Sequence, residues 1–237
     1  MNQICKINFR GRTIKYCGNN QFWERVAAEM WESDTFNLLE KQIIAGKIFI
    51  DCGAWNGVLS IYAAMLGARV YAIEPDAAIW NELECNIHEN GLQDLITWKS
   101  YALSDKKGTA QLVNDYGNFG NSGSKLSTST GKTVTTNTLS FLIEDEKINA
   151  ADICLIKIDV EGSEIALIRG AKYFLQTYRP LINISFHPAY FENFDEDILY
   201  AYNTLSEIYV FEGSNFEDFV QRMMNPLADH NFTLIPK

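Results

Sequence analysis

The sequence Phe49-Ile50-Asp51-Cys52-Gly53-Ala54-Trp55-Asn56-Gly57 decides the fold. A short apolar run is followed by an acidic residue, Asp51, and then by a glycine, Gly53, that allows a turn. A second glycine, Gly57, precedes an apolar segment at 58–66. This order predicts a buried β-strand, a tight turn and an α-helix. Strand and helix patterns alternate downstream, with further strands predicted at 70–73, 96–102, 153–158, 181–186, 208–211 and 232–235. Continuous apolar strands alternating with helices are typical of a mostly parallel sheet that is covered on both faces.

The predicted architecture is therefore a Rossmann-like α/β fold with a seven-stranded, mostly parallel sheet and helices on both faces. Apolar and polar residues alternate over 4–16, which predicts a β-hairpin, and 22–44 has helical spacing. We assign residues 1–45 to an N-terminal hairpin and helical extension, and 46–237 to the main domain. Residues 104–140 interrupt the strand–helix alternation and are rich in Gly, Ser, Thr and Asn, which predicts an inserted β-excursion.

Composition and charge narrow the class of partner. The 237 residues carry a formal net charge of −10, which repels nucleic-acid phosphates and anionic lipid, so we expect neither nucleic acid nor membrane as partner. The N-terminus lacks an apolar signal core, and the five cysteines are odd in number without a Cys-x-x-Cys pair. These features favour a cytoplasmic protein with free thiols rather than a disulfide framework or a zinc site. A homodimer is left open.

The turn after the first strand indicates the kind of ligand. A dinucleotide site would have the pattern G-x-G-x-x-G, which is absent, and Asp51 would repel a pyrophosphate. S-adenosylmethionine (SAM) carries no phosphate and has a cationic sulfonium and ammonium, so a nearby carboxylate attracts it. Gly53 would let the backbone approach such a ligand closely. In a doubly wound sheet, the ligand lies beyond the carboxyl ends of the strands.

The next two strand ends complete the predicted cofactor site. Glu74, seventeen residues after Gly57 and followed by Pro75, is placed to accept hydrogen bonds from both ribose hydroxyls. Tyr101 and Ala102, at the end of the third strand, are expected beside the adenine.

Four motifs resemble the FkbM family of SAM-dependent methyltransferases. They are Ile50-Asp51-Cys52-Gly53-Ala54-Trp55-Asn56-Gly57, Glu74-Pro75, Ala102-Leu103-Ser104-Asp105 with Gly108, and Ile156-Lys157-Ile158-Asp159-Val160-Glu161-Gly162-Ser163-Glu164 with Gly170 further on. The last is the family's most specific signature. The resemblance covers about residues 45–190 and implies a class I methyltransferase fold with SAM as cofactor. Trp31-Glu32-Ser33-Asp34-Thr35 resembles the family's segment before the first strand, which helps to close over the cofactor.

The departures from the family pattern concern the acceptor more than SAM. Trp55 stands between the usual Ala and Asn, Thr138-Leu139-Ser140 replaces a Leu-Asp-Asp, and Ser185-Phe186-His187-Pro188 lacks the usual Glu. By resemblance, the acceptor is a hydroxyl on a sugar, glycan or natural product. The residues assigned to SAM are Glu32, Thr35, Asp51, Gly53, Ala54, Asn56, Gly57, Glu74, Pro75, Tyr101, Ala102 and Asp159.

The predicted catalytic residues follow the fourth and fifth strands. Lys157, Asp159 and Glu161 alternate along the chain and should point to one side, with His187 at the neighbouring strand end. We assign Asp159 to the junction of cofactor and acceptor, and either His187 or Glu161 to proton acceptance. Lys157 and Glu161 would alternatively form an ion pair that shapes the turn, and His187 would be a structural histidine. The favoured interpretation involves no metal, although Asp159, Glu161 and His187 also match a divalent-metal donor set.

Three other functions stay open from the sequence: a nicotinamide-dependent oxidoreductase, a non-catalytic nucleoside-binding subunit, and a nucleic-acid methyltransferase. The missing G-x-G-x-x-G argues against the oxidoreductase, and the intact Lys157/Asp159/Glu161 cluster argues against a non-catalytic subunit. The acidic chain argues against a nucleic-acid substrate. We further predict that residues 114–131 gate the acceptor site, with Tyr116 and Phe119 stacking on a sugar face.

Overall fold

A seven-stranded sheet lies at the centre of the chain, in a computed structural model that describes residues 4–114, 120–121, 123–127 and 130–237. The strand order is β12-β13-β11-β10-β3-β4-β5, and β13 runs antiparallel to β11 and β12. The strands are β3 (Ile48–Cys52), β4 (Arg69–Ile73), β5 (Ile96–Lys99), β10 (Ile153–Ile158), β11 (Ile182–Ser185), β12 (Tyr209–Phe211) and β13 (Asn231–Pro236). The predicted seven-stranded, mostly parallel sheet is confirmed.

Two hydrophobic clusters cover the two faces of this sheet. Successive residues of a strand point to opposite faces, so Phe49 packs in one cluster, with the N-terminal extension, while Ile48 and Ile50 pack in the other. Both faces are buried, which is why the strands are apolar throughout. The helices are α1 (Asn20–Ala27), α2 (Ser33–Gln42), α3 (Val58–Met65), α4 (Trp80–Glu89), α5 (Leu139–Asp145), α6 (Glu164–Tyr178), α7 (Phe194–Ser206) and α8 (Phe216–Met224).

The N-terminal extension is built as predicted, from a hairpin of β1 (Cys5–Phe9) and β2 (Arg12–Tyr16) followed by α1 and α2. It lies against α4, and Asn86 of that helix accepts a hydrogen bond from the backbone N–H of Cys17 at 2.6 Å. The expectation of free thiols is wrong for Cys17 and Cys85, which form a disulfide between the hairpin and α4. Their separation of 68 residues carries no sequence signal for this contact.

The predicted insertion forms a second sheet with the order β6-β9-β7-β8. Its strands are β6 (Ala102–Leu103), β7 (Gly108–Asn114), β8 (Ser124–Ser127) and β9 (Lys132–Asn137). The third strand of the main sheet therefore ends at Lys99 rather than near Ala102, because Ala102 and Leu103 pair with β9 instead. Tyr116 and Phe119 of the proposed gate lie outside the described residues.

Two helices were missing from the sequence prediction, α5 after the insertion and α8 near the C-terminus. Asn215 begins α8 with a reciprocal capping box to Asp218, a short-range signal that the hydrophobic pattern alone does not show. None of the helices described here is long and apolar enough to span a lipid bilayer.

Candidate functional site

A cavity of about 400 Å³ opens at the carboxyl ends of β3, β4, β10 and β11. This is the edge at which doubly wound sheets bind ligands. Most of the predicted site residues line it: Glu32, Asp51, Gly53, Ala54, Glu74, Pro75, Ala102, Lys157, Asp159, Glu161 and His187. The sheet brings them together from distant positions in the sequence, since parallel neighbours end side by side, as Asp51 and Lys157 do in the register of β3 and β10.

Four predicted cofactor residues lie outside the cavity wall as the structure describes it: Thr35, Asn56, Gly57 and Tyr101. Asn56 accepts a hydrogen bond from the N–H of Val58 and so supports the start of α3. A Cβ on Gly57 would press on Leu83 of α4. Tyr101 is buried in the hydrophobic cluster that contains Ile48 and Ile50, because the chain leaves the main sheet at Lys99, before Tyr101.

Glu74 is held at the end of β4 by the backbone around it. One carboxylate oxygen accepts the N–H of Asp76 at 2.7 Å, and the other accepts the N–H of Trp55 at 2.9 Å. Burial raises the pKa of Glu74 to about 7, although these hydrogen bonds oppose the shift. Each oxygen retains a further lone pair for a ligand hydroxyl. Two backbone hydrogen bonds thus hold the carboxylate in the cavity wall.

Lys157 is fully buried and surrounded by carboxylates. Its Nζ lies 2.6 Å from Asp159 Oδ2 and 3.9 Å from Glu32 Oε2. Burial disfavours the ammonium charge, but Asp159, Glu32 and Asp51 outweigh burial and raise the pKa of Lys157. The partner of Lys157 is therefore Asp159, and the alternative pairing with Glu161 is not what this geometry shows.

The residues at this end of the cavity fit a cationic ligand such as SAM. Asp51 Oδ1 and Glu32 Oε2 are buried and have no hydrogen-bond partner among the described residues. Three carboxylates surround one ammonium here, so the cluster carries an excess of negative charge when all are ionised, and burial together with repulsion between the acids raises the pKa of Asp51 to about 6 and also raises the pKa of Glu32. A sulfonium and an ammonium would compensate that excess, whereas a pyrophosphate would be repelled. Glu74 at the neighbouring strand end would hold the ribose.

His187 stands among three carboxylates at the other end of the cavity. Its Nδ1 lies 2.9 Å from Glu164 Oε1, and its Nε2 lies 3.5 Å from both Asp159 Oδ1 and Glu161 Oε2. Burial lowers the pKa of His187, but the hydrogen bond to Glu164 and the nearby charges prevail and raise it to about 9. Burial raises the pKa of Glu161 to about 7.

Sequence reasoning missed several groups that shape the cavity. Trp55 donates its indole N–H to the carbonyl of Gly120 at 2.9 Å, and Asp76 accepts the N–H of Gly120 at 2.7 Å. The insertion is thereby fastened beside the cofactor loop. The unusual Trp between Ala and Asn was the available signal for this contact. Glu164 stands in the last family motif, but the motif does not predict its contact with His187. Residues 228–231 form the C-terminal part of the cavity wall and show no sequence signal for that position.

Comparison with known proteins identifies the family of the chain. The family model described as "Methyltransferase FkbM domain" matches residues 51–233 of the chain. Over 69 residues the chain is 38% identical to ribosomal protein L11 methyltransferase of Anoxybacillus flavithermus, a match covering 29% of this chain and 22% of that protein. Over 66 residues it is 39% identical to ribosomal protein arginine N-methyltransferase rmt3 of Schizosaccharomyces pombe, covering 27% and 12%. The chain matches less than a quarter of the length of either relative.

Solved structures show the same fold at low sequence identity. Methyltransferase FkbM from Methylobacillus flagellatus has a TM-score of 0.51 and 15% identity, covering 92% of this chain and 55% of that one. A putative rRNA-methylase from Clostridium thermocellum has a TM-score of 0.51 and 9% identity, covering 85% and 92%. With the family match spanning most of the sequence, the chain belongs to the Methyltransferase FkbM domain family of SAM-dependent methyltransferases.

Proposed function

We propose that the chain transfers a methyl group from SAM to a hydroxyl oxygen of a sugar, glycan or natural product. The observation that carries this proposal is a single cavity with two different ends. One end, at Glu74, Asp51 and Glu32, suits a cationic nucleoside. The other end, at Glu161 and His187, holds a carboxylate that can take a proton from an acceptor, and Asp159 lies between the two ends with Oδ2 on Lys157 and Oδ1 toward His187.

SAM, when bound, supplies an activated methyl group with a good leaving group. The protein's own contribution is then positioning and exclusion of water. Glu74 is fixed by two backbone N–H groups, and Asp159 is fixed by Lys157. Both carboxylates are therefore oriented before any ligand enters.

A neutral hydroxyl acceptor must lose its proton as the new O–CH₃ bond forms. Glu161 is the proposed proton acceptor, because its carboxylate lines the cavity and pairs with His187 only at 3.5 Å. Its raised pKa, about 7, suits a base that works near neutral pH. His187, whose pKa is raised to about 9, is the proposed counter-charge of both acids, because its Nε2 lies 3.5 Å from an oxygen of each. This assigns the two sequence alternatives to different roles.

The acidic cavity also supports a neutral acceptor over an anionic one. A phosphate or carboxylate near Glu161 and Asp159 would meet like charges in a largely buried site. The names of the relatives refer to ribosomal proteins and RNA, so a macromolecular acceptor is a necessary arm of the test.

The test has two stages. Calorimetry with S-adenosylhomocysteine (SAH) and with NAD should show binding of the first and not of the second. Purified chain with SAM is then offered a panel of sugars, nucleotide sugars, ribosomal protein and RNA, and methylated products are identified by mass spectrometry. O-methylated saccharide supports the proposal. Methylated protein or RNA, or SAH binding without product in any arm, contradicts the acceptor class or the catalytic role.

A further inference from the structure

The side chains of Asp159, Glu161 and His187 face one another around a common point. One ligand-type atom from each lies within 4.8 Å of the others, and His187 Nε2 is 3.5 Å from a carboxylate oxygen of each acid. A separation of 3.5 Å is longer than a well-formed N–H···O hydrogen bond. Donor atoms bound at about 2.1 Å to one cation lie roughly 3 Å apart when their bonds are at right angles. Small side-chain movements would bring all three to that spacing.

Two further contacts aim the donors at this point. The imidazole Nδ1 of His187 lies 2.9 Å from Glu164, a fully buried carboxylate, so an Nδ1–H donated to Glu164 leaves Nε2 facing Asp159 and Glu161. A histidine whose second nitrogen is held by a carboxylate is the usual arrangement at protein metal sites. Asp159 is oriented in the same way, because its Oδ2 binds Lys157 and leaves Oδ1 toward His187.

Nε2 of His187 faces one oxygen of each carboxylate at 3.5 Å, so a metal cation bound there would contact all three groups and would displace the proton from Nε2. We infer that Asp159, Glu161 and His187 form a binding site for a divalent metal cation at the acceptor end of the cavity. Two carboxylates and one imidazole form a mixed oxygen and nitrogen donor set, which suits first-row cations such as Mn²⁺. This inference departs from the metal-free interpretation favoured by the sequence.

The site would serve the proposed function, on which this part of the inference rests. Three protein donors leave coordination positions open, and a hydroxyl bound to a divalent cation loses its proton more readily. Glu161 would bind through Oε2, the oxygen nearer to His187, and keep Oε1 available for the acceptor's proton. Metal binding itself needs no acceptor, so it can be measured without methyl transfer.

The experiment measures Mn²⁺ binding to the purified, chelator-treated chain by electron paramagnetic resonance, with SAH present. We expect one site, with binding weakened at least about tenfold in Glu161→Gln and in His187→Gln, and also in Glu164→Gln, which keeps every ligand but alters the orientation of His187. Glu192→Gln and His88→Gln are the matched controls, because both residues are exposed and outside the cavity. Their Mn²⁺ affinities should equal that of the unmodified chain.

A second measurement is made on the unmodified chain. Pulsed electron paramagnetic resonance of the Mn²⁺ complex should detect coupling to an imidazole nitrogen, which shows that a histidine is a ligand, and the loss of affinity in His187→Gln then assigns that ligand to His187 rather than to His230 in the same cavity. No Mn²⁺ binding, binding without nitrogen coupling, or equal affinity in His187→Gln and His88→Gln would each overturn the metal site and leave a proton as the shared charge. Calorimetry with SAH on the same samples shows separately whether the cofactor site is intact.

Discussion

Gly53 lies against the backbone of Asp159 so closely that a Cβ on Gly53 would overlap the carbonyl oxygen of Asp159. The N–H of Asp159 in turn donates to the carbonyl of Cys52 at 2.9 Å. The turn after β3 and the turn after β10 are therefore in direct contact. Gly53 lines the cavity, as its predicted role requires, but the nearest obstacle to a side chain there is the protein itself.

Replacing Gly53 by Ala should move the turn that carries Asp159. We expect a loss of about 1–3 kcal/mol in the free energy of unfolding, as in other overpacked sites, together with weaker SAH binding. Gly46→Ala is the matched control. Gly46 has a similar left-handed backbone, with φ of 81° against 89° for Gly53, but a Cβ there meets no atom within 4 Å among the described residues. Urea unfolding of both variants measures the difference, and equal destabilisation would mean that backbone conformation alone requires Gly53.

Glu74 should make SAH binding depend on pH. Its pKa is raised to about 7 by burial, and a ribose hydroxyl donates best to the ionised carboxylate, so SAH affinity should fall as pH drops through 7. Glu74→Gln should weaken binding by about 1–3 kcal/mol above pH 7 and flatten this dependence. Calorimetry across the pH range gives both results.

The same raised pKa affects the fold without ligand. Because the folded state disfavours ionised Glu74, its ionisation reduces stability progressively as pH rises from about 4.5 through 7.

Glu84→Gln, at an exposed position on α4, is the control for the SAH-binding prediction and should retain the pH dependence of SAH binding. A pH-independent affinity in the unmodified chain would remove Glu74 from the ribose contact.

The sequence predicted the positions of the side chains that follow the strands of the main sheet, but not the residues that contact those side chains. The carboxyl ends of parallel strands meet at one sheet edge, so the sequence alone predicts that Glu74, Asp159 and His187 lie together. Glu32 reaches Lys157 across 125 residues of chain, a contact that depends on the packing of α2 against α3. Tyr101 does not line the cavity, because the third strand of the main sheet ends at Lys99, three residues earlier than predicted, and the chain then enters the second sheet.

Lys157 should be essential for the stability of the site in a way that an exposed lysine is not. Lys157→Met would leave Asp159, Glu32 and Asp51 without their buried cation, which we expect to cost about 3–5 kcal/mol of unfolding free energy. Lys47→Met is the control, because Lys47 pairs with Asp152 at the surface, where a salt bridge contributes about 1 kcal/mol or less. Similar losses in urea unfolding would contradict the view that the Lys157 cluster depends on its central charge.

Trp55 should couple the insertion to the cofactor loop. Its indole N–H donates to Gly120, while its ring packs edge-on against Phe22 at 4.6 Å between centroids. Trp55→Phe would retain the ring contact and remove the hydrogen bond, a net loss of about 0.5–1.5 kcal/mol. We therefore expect faster amide hydrogen exchange at Gly120 and a higher KM for the acceptor, with SAH affinity nearly unchanged.

Hydrogen exchange measured with and without SAH and acceptor also tests the predicted gate at 114–131. Protection of this segment only when both ligands are present supports gating, because the described part of the insertion, including Asn121 and Ser124, lines the cavity. Trp98→Phe is the control for Trp55→Phe, since Trp98 packs against Trp80 and does not line the cavity. If Trp55→Phe and Trp98→Phe exchange alike at Gly120, the hydrogen bond does not fasten the insertion. If the segment exchanges equally fast in every state while residues 51–57 become protected, the insertion does not gate the acceptor.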